Sequence, residues 1–329
     1  MLDFKLVKSF FHLYFLRRNI PLFVNLSVTD RCNFRCSYCK IPERNSKELT
    51  KEDIFSIVDD LHRLGTKKIG LCGGEPLMRE DIGEIVNYIK SKHILVTIVS
   101  NGALVRQRIK EIKNLDLIII SFDGSPHAQE EVRGKHAYEI AIDAIEAARE
   151  HHLKVVSQTT FTKNNIKELD YILKMAESMG FTCLFLPVYH YAMSGDFVKT
   201  LFPDREEFRH TIEKIKKIKK SRKAHLITNS VVGLNYLKAW PKFTKVPCWA
   251  GKSYAYIDTD GQIYPCIQMI QRTEGVSLLE VGIEEAMKKM TRLPCPGCWC
   301  IPNIEHNYFF SFNLGMWLHY YKLATMVNK

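Results

Sequence analysis

Three cysteines within eight residues, Cys32, Cys36 and Cys39, stand at a C-x3-C-x2-C spacing just after an apolar run, Leu22 to Val28. Three thiolates so spaced can wrap one face of a cubane iron–sulfur cluster and ligate three of its irons. The fourth iron stays open, which chemistry at a metal requires. A structural zinc site wants four ligands, and the nearest further candidates are His62 and Cys72, so zinc here needs a remote fourth ligand. A second set lies near the end of the chain. Cys248 and Cys266 flank an Asp260-Gly261 turn, and Cys295-Pro-Gly-Cys298-Trp-Cys300 follows. A hairpin with one cysteine on each side, closed by C-x2-C, supplies four thiolates, which zinc and iron–sulfur clusters both accept.

Other short polar motifs end successive apolar runs: Gly73-Gly74-Glu75-Pro76, Ser100-Asn101-Gly102 and Ser121-Phe122-Asp123-Gly124. With Tyr38 one residue before the third cysteine, the chain resembles the radical S-adenosylmethionine (SAM) superfamily, whose signature is C-x3-C-x-aromatic-C after the first strand. The resemblance implies a [4Fe–4S] cluster on Cys32, Cys36 and Cys39, with SAM chelating the open iron through its amino and carboxylate groups. One electron then splits SAM into methionine and a 5′-deoxyadenosyl radical, which takes a hydrogen from substrate. It places Tyr38 beside the adenine and gives the amino group to Gly73, Gly74, Glu75 and Pro76. Ser100, Asn101, Ser121 and Asp123 then meet the ribose and carboxylate. Gln158, Thr160 and Arg133 are further candidates for that pocket, Arg133 as a carboxylate partner. Strand-end caps and, for Arg133, a surface loop are the ordinary alternatives. The second set resembles a SPASM/twitch extension, which implies an auxiliary [4Fe–4S] cluster on Cys248, Cys266, Cys295 and Cys298, with Cys300 as alternative to Cys298. Such a cluster, fully ligated by cysteine, would handle electrons. The stretch around Cys32 is also very like the GTP cyclase of molybdenum-cofactor synthesis. The position of C-x2-C, Ser-Phe-Asp-Gly in the fourth motif and the chain's last residues all depart from that enzyme.

Such sites need a frame. Six short β-branched runs, Leu22–Val28, Lys68–Cys72, Ile94–Ser100, Leu117–Ser121, Lys154–Phe161 and Thr182–Val188, alternate with amphipathic stretches. The latter are Lys51–Leu64, Asp81–Ser91, Val105–Lys113, Tyr138–His151 and Ile166–Met179, with Thr50 and Asp53 as a capping box. The expected class is α/β: a partial (β/α)6 barrel working at the C-terminal ends of its strands, plus a small cysteine-rich twitch/SPASM-like domain. The expected divisions are an amphipathic segment (1–21), the barrel core (22–200), a helical link (201–245), the auxiliary domain (246–305) and an aromatic tail (306–329). Cys72 and Cys183 fall on strand-like runs and read as core residues. Tyr189, His190 and Tyr191, after the sixth run, are candidate substrate contacts, and no acid or base is assigned.

The 329 residues, 46% hydrophobic and 25% charged, suit a globular protein. No export signal or spanning apolar stretch is evident, so a cytoplasmic setting is expected. The formal charge of +11 invites an acidic partner. No base-stacking or groove-reading motif supports nucleic acid. The partners expected are a reductant such as flavodoxin or ferredoxin and an unidentified small-molecule, lipid or peptide substrate. An electron-transfer protein without SAM chemistry is the other class. The segment Met1 to Ile20 and the tail Tyr308 to Lys329, rich in aromatics and edged by lysine, suit either peripheral contact with the inner membrane face or packing on the barrel. Two [4Fe–4S] sites predict about eight irons per reconstituted chain, and about four when Cys32, Cys36 and Cys39 are all replaced by Ala. Anaerobic iron and sulfide analysis, with zinc measured in parallel, checks this count.

Overall fold

The computed structural model describes Leu13 and residues 19–189, 196–270, 272–291, 295 and 297–327. Six strands stand side by side in chain order, each parallel to the next: β1 (Phe23–Thr29), β2 (Lys68–Gly73), β3 (Leu95–Ser100), β4 (Leu117–Ser121), β5 (Val155–Phe161) and β6 (Thr182–Pro187). Between them run α1 (Lys51–Leu64), α2 (Ile82–Ser91), α3 (Val105–Arg108), α4 (Pro126–Arg133), α5 (Ala137–Glu150) and α6 (Leu169–Met179). This is the expected partial (β/α)6 barrel. Strands covered by helices on one face and closed on a core by the other read as continuous apolar runs. Ile69, Leu71, Val96, Ile98, Ile118 and Ile120 are accordingly buried.

Local signals explain most boundaries. Thr50 Oγ1 accepts from Asp53 N while Asp53 accepts from Thr50 N, and α1 stops at Gly65, which is left-handed at φ 96°. The stretch Val105–Lys113, expected as a helix, gives only the single turn of α3. Beyond it, bonds from Glu111 N to Arg108 O and from Ile112 N to Ile109 O have three-residue spacing. Ile109, Ile112 and Leu115 are buried at that period, which mimics a helical stripe in sequence. Helix α4 is missing from the expected set, although Ser125-Pro126 carries a helix-start signal, Pro at the first position.

After α7 (Arg205–Ile218) and α8 (Val231–Leu237), the sheet continues across the boundary expected near residue 246. Strand β7 (Tyr254–Ile257) pairs parallel with β1, and β8 (Gln262–Tyr264) and β9 (Val276–Ser277) add antiparallel strands. Ile257 and Ile263, with Leu278 and Ile283 of α9 (Leu278–Lys289), join the barrel's own core. The cysteine-rich region therefore shares a sheet and a core with the barrel. On the opposite edge, Asn229 caps β6: Phe185 N donates to its Oδ1 (2.9 Å) and its Nδ2 donates to Phe185 O (2.8 Å).

Of the amphipathic segment 1–21, residues 1–18 lie outside the described residues apart from Leu13, which packs with Ile20, Leu22 and Phe310. Phe310 ends α10 (Ile301–Phe310), so the start of the tail packs on the barrel. Phe312, and Leu314, Leu318 and Tyr321 of α11 (Leu314–Val327), are exposed. Among the described residues no helix is long and apolar enough to cross a membrane.

The loop from Asp30 to Leu49, which carries the first three cysteines, is pinned where it leaves and rejoins the barrel. Arg79, buried, donates from Nη1 to Val28 O (3.0 Å) and Leu49 O (2.9 Å), while Nε and Nη2 clamp Asp81. Arg79→Met would leave two buried carbonyls and a half-buried carboxylate without their partner. The expected loss is about 3 kcal/mol in anaerobic guanidinium unfolding, with Arg79→Lys recovering part of it.

Candidate active site

The three cysteines hang on the loop beyond β1, at the C-terminal end of the parallel strands, each half-buried. Each sulfur faces an N–H. Cys32 Sγ accepts from Phe34 N (3.4 Å) and Asn101 Nδ2 (3.7 Å), and Cys36 Sγ accepts from Arg133 Nη1 (3.8 Å). Ile41 N faces Cys39. Burial nonetheless pushes all three thiols up, Cys39 to about 11. Donors aimed at sulfurs that burial keeps protonated make sense once a metal replaces the protons. The donor set thus fits a cluster held at three corners.

Beside this loop, the exit of β2 lies backbone on backbone. Gly74 N donates to Thr29 O (2.7 Å) and Glu75 N to Arg31 O (2.8 Å). A Cβ on Gly73, at φ +130°, would stand 2.2 Å from Thr29 O, and one on Gly74 would stand 2.2 Å from Arg31 O. Both glycines are therefore demanded by contact with the cysteine loop. Glu75 is fully buried and accepts from Ser100 Oγ (2.9 Å), Asn101 N (2.7 Å) and Leu77 N (3.2 Å). Burial raises its pKa to about 7 against those three donors. Asn101 then turns its side chain to Cys32 and to Asn33 Oδ1 (2.7 Å). Pro76, also buried, starts a short 3-10 turn behind Glu75.

The far wall comes from β4, α4 and β5. Asp123, fully buried, accepts from Arg133 Nε (2.6 Å) and from Thr160 N (2.8 Å). Arg133 Nη2 donates to Tyr38 Oη (2.8 Å), and burial pushes the Tyr38 hydroxyl far up while Arg133 opposes it. Arg133 is no surface arginine: it ties Asp123, Tyr38 and Cys36 together. Ser121 is buried, and Gln158 is half-buried opposite it on β5. Sequence reasoning missed Gln129 of α4, whose Oε1 accepts from Asp123 N (2.5 Å) and whose Nε2 donates to Ser121 O (3.3 Å). It also missed Asn33, which no motif marks.

Of the second set, Cys248, Cys266, Cys295 and Cys298 line one cavity of about 600 Å³, with Tyr254, Gln268, Asn303 and Asn307. Cys266 is pushed to about 12 by burial first and then by its neighbouring cysteines. The Gln268 amide N–H faces the Cys266 sulfur, while its side-chain Nε2 is buried without a partner among the described residues. A donor left over beside four thiols fits a group rich in acceptors, such as cluster sulfides. Cys300 stands at the N-cap position of α10 with its thiol facing the side chain of Tyr189, and it is near enough to Cys298 and Cys266 to help raise their thiols. Cys72 lies against Tyr256, and Cys183 is in the core. His190 and Tyr191 lie outside the described residues. Cys266 follows β8 at the level of Phe23, whereas Cys32 lies past Thr29. The two thiol sets therefore sit at opposite ends of β1, seven residues or on the order of 20 Å apart.

The family model for the radical SAM superfamily matches residues 26–176. Fe-coproporphyrin III synthase of Methanosarcina barkeri is 29% identical over 208 residues, 60% of this chain and 51% of that protein. PqqA peptide cyclase of Bradyrhizobium diazoefficiens is 25% identical over 256 residues, 75% of this chain and 67% of that protein. The chain thus spans about half to two thirds of the length of these relatives. The solved structure of Streptococcus suis SuiB bound to S-adenosylmethionine shares the fold, with a TM-score of 0.67 at 16% identity over 81% of this chain and 65% of that one. The three-cysteine loop, the Gly73–Pro76 turn and most of the parallel half-barrel fall within the family match, so residues 26–176 form a radical SAM domain.

Proposed function

We propose that this enzyme cleaves SAM reductively at a [4Fe–4S] cluster on Cys32, Cys36 and Cys39 and takes a hydrogen atom from a substrate held over the strand ends. A second [4Fe–4S] cluster on Cys248, Cys266, Cys295 and Cys298 handles electrons. The observation that carries the reading is the convergence of three donor-capped sulfurs with the buried Glu75 turn and the Arg133–Asp123–Tyr38 wall. A bound cluster supplies, from a reductant such as flavodoxin or ferredoxin, the single electron that breaks the S–C5′ bond. The chain's residues do the rest. Glu75 fixes the turn whose carbonyls meet the SAM ammonium. Tyr38, braced by Arg133, closes the adenine side and keeps water out. Ser121 and Gln158 remain as polar contacts for ribose and carboxylate.

A carrier that only passes electrons would have no use for the Glu75 turn, and this separates the two readings. With dithionite and SAM under strict anaerobiosis, the reconstituted protein is expected to release 5′-deoxyadenosine and methionine, slowly even without substrate. Cys36→Ala is expected to release neither. Absence of cleavage by the intact protein would leave electron transfer as the better reading. The names of the two relatives make peptides and tetrapyrroles the first substrates to offer.

We infer in addition that the end of the chain touches an anionic membrane surface. Exposed Phe312, Leu314, Leu318 and Tyr321, on a chain of net charge +11, support this. The chain is expected to pellet with anionic vesicles at low salt, and the Leu314→Glu, Leu318→Glu double variant to remain largely in the supernatant. Equal pelleting of the two, or none by the unaltered chain, would remove the idea.

A further inference from the structure

We propose that Arg44 is a positioning residue. It registers the three-cysteine loop on the β7–β8 turn, so that one hairpin serves both thiol sets. The inference rests on the reading of Cys32, Cys36 and Cys39 as cluster ligands.

The hairpin has two working ends. At one, Cys248 precedes β7 and Cys266 follows β8, both on the second cavity. At the other, Asp258 and Thr259 follow β7 directly and enter the cysteine loop. Arg44, five residues past Cys39, grips Asp258 with two nitrogens: Nη2 to Oδ2 at 2.6 Å and Nη1 to Oδ1 at 3.1 Å. The same Nη1 lies 3.4 Å from Asp30 Oδ1, and Asp30 stands two residues before Cys32. Nη2 also donates to Ser46 Oγ (3.0 Å). Asp30 in turn accepts from Ser46 N (3.1 Å) and Thr259 Oγ1 (3.1 Å), and Leu49 N donates to Thr259 O (3.0 Å). The guanidinium thus joins the residues before and after the three cysteines to one turn of another element.

Burial decides what this clasp does. Asp30 is 5% exposed and Asp258 2%. Two desolvated carboxylates are held together by the Arg44 guanidinium between them, which grips Asp258 in the bidentate geometry that fixes direction as well as distance. Arg79 anchors only the loop's ends. The cysteines lie between, and their sulfurs must hold position to about 0.5 Å to serve one cluster. Without Arg44 the two carboxylates lose their shared cation, and a loop that swings off the hairpin lets them hydrate.

The test compares reconstituted wild type with Arg44→Met, Arg44→Lys and Asp258→Asn. Hydrogen exchange in segment 44–50 is expected to rise about tenfold or more in Arg44→Met and Asp258→Asn, with β3 to β6 unchanged. The SAM-induced change in the electron paramagnetic resonance spectrum of the reduced protein is expected to alter in both variants. Arg44→Lys, which keeps the charge and loses the fork, should fall between. Unaltered exchange and spectra overturn the proposal. A rise spread equally over β3 to β6 does so too, because it marks a general stabiliser. Should Arg44→Met fail to fold, Asp258→Asn and Arg44→Lys give the same answer. If wild type holds no iron at the first site, the cluster reading fails, while the exchange comparison still judges the clasp.

Discussion

The site rests on two pieces of main chain that touch. At Gly73 and Gly74 the exit of β2 lies so close to Thr29 and Arg31 that no side chain fits between them. From this contact a closed circuit runs through the strand ends: from the cysteine loop to Glu75 by main-chain bonds, from Glu75 to Ser100 and Asn101 at the end of β3, and from Asn101 back to the Cys32 sulfur. Each member is held by the next, so three loops from three strands behave as one piece. Preorganisation of this kind lets a site direct a reactive species, since the groups around it need not reorganise as charge moves.

The other charged groups follow a shared rule. Arg133 faces Asp123, Arg79 faces Asp81, and Arg44 faces Asp30 and Asp258, each pair wholly or partly desolvated. Their worth lies in direction: a fork between carboxylate and carbonyl oxygens places a loop where a hydrophobic contact would let it slide. The lysines of α7, Lys214, Lys216 and Lys217, take no part in these pairs.

How far the sequence reveals this depends on the range of the forces involved. Strand runs and the α1 cap are local, so the periodicity of Leu117–Ser121 and the Thr50–Asp53 pair locate them to the residue. The cysteine motifs and Gly73–Pro76 are legible because their chemistry restricts residue type. Partners far apart in the chain leave no such mark. Nothing around Arg44 announces Asp258, 214 residues on, and Arg133 gives no local sign that it will be buried against Cys36. The same holds for β7: its four residues read as part of a separate domain, and only pairing with β1 places them in the barrel's sheet. Period alone also misleads where turns with three-residue spacing imitate a helix, as after α3.

One small feature at the opposite edge bears on how the barrel meets other chains. The side-chain amide of Asn229 takes both main-chain groups of Phe185, as a neighbouring strand would. Edge strands with free N–H and C=O groups recruit extended polypeptide, whether a substrate or another copy of the same protein. Here the recruiting groups at the middle of β6 are already engaged. An extended peptide therefore cannot lengthen the sheet at that point by strand addition. Contact with the barrel at that point is left to side chains, and the middle of β6 offers no adhesive border.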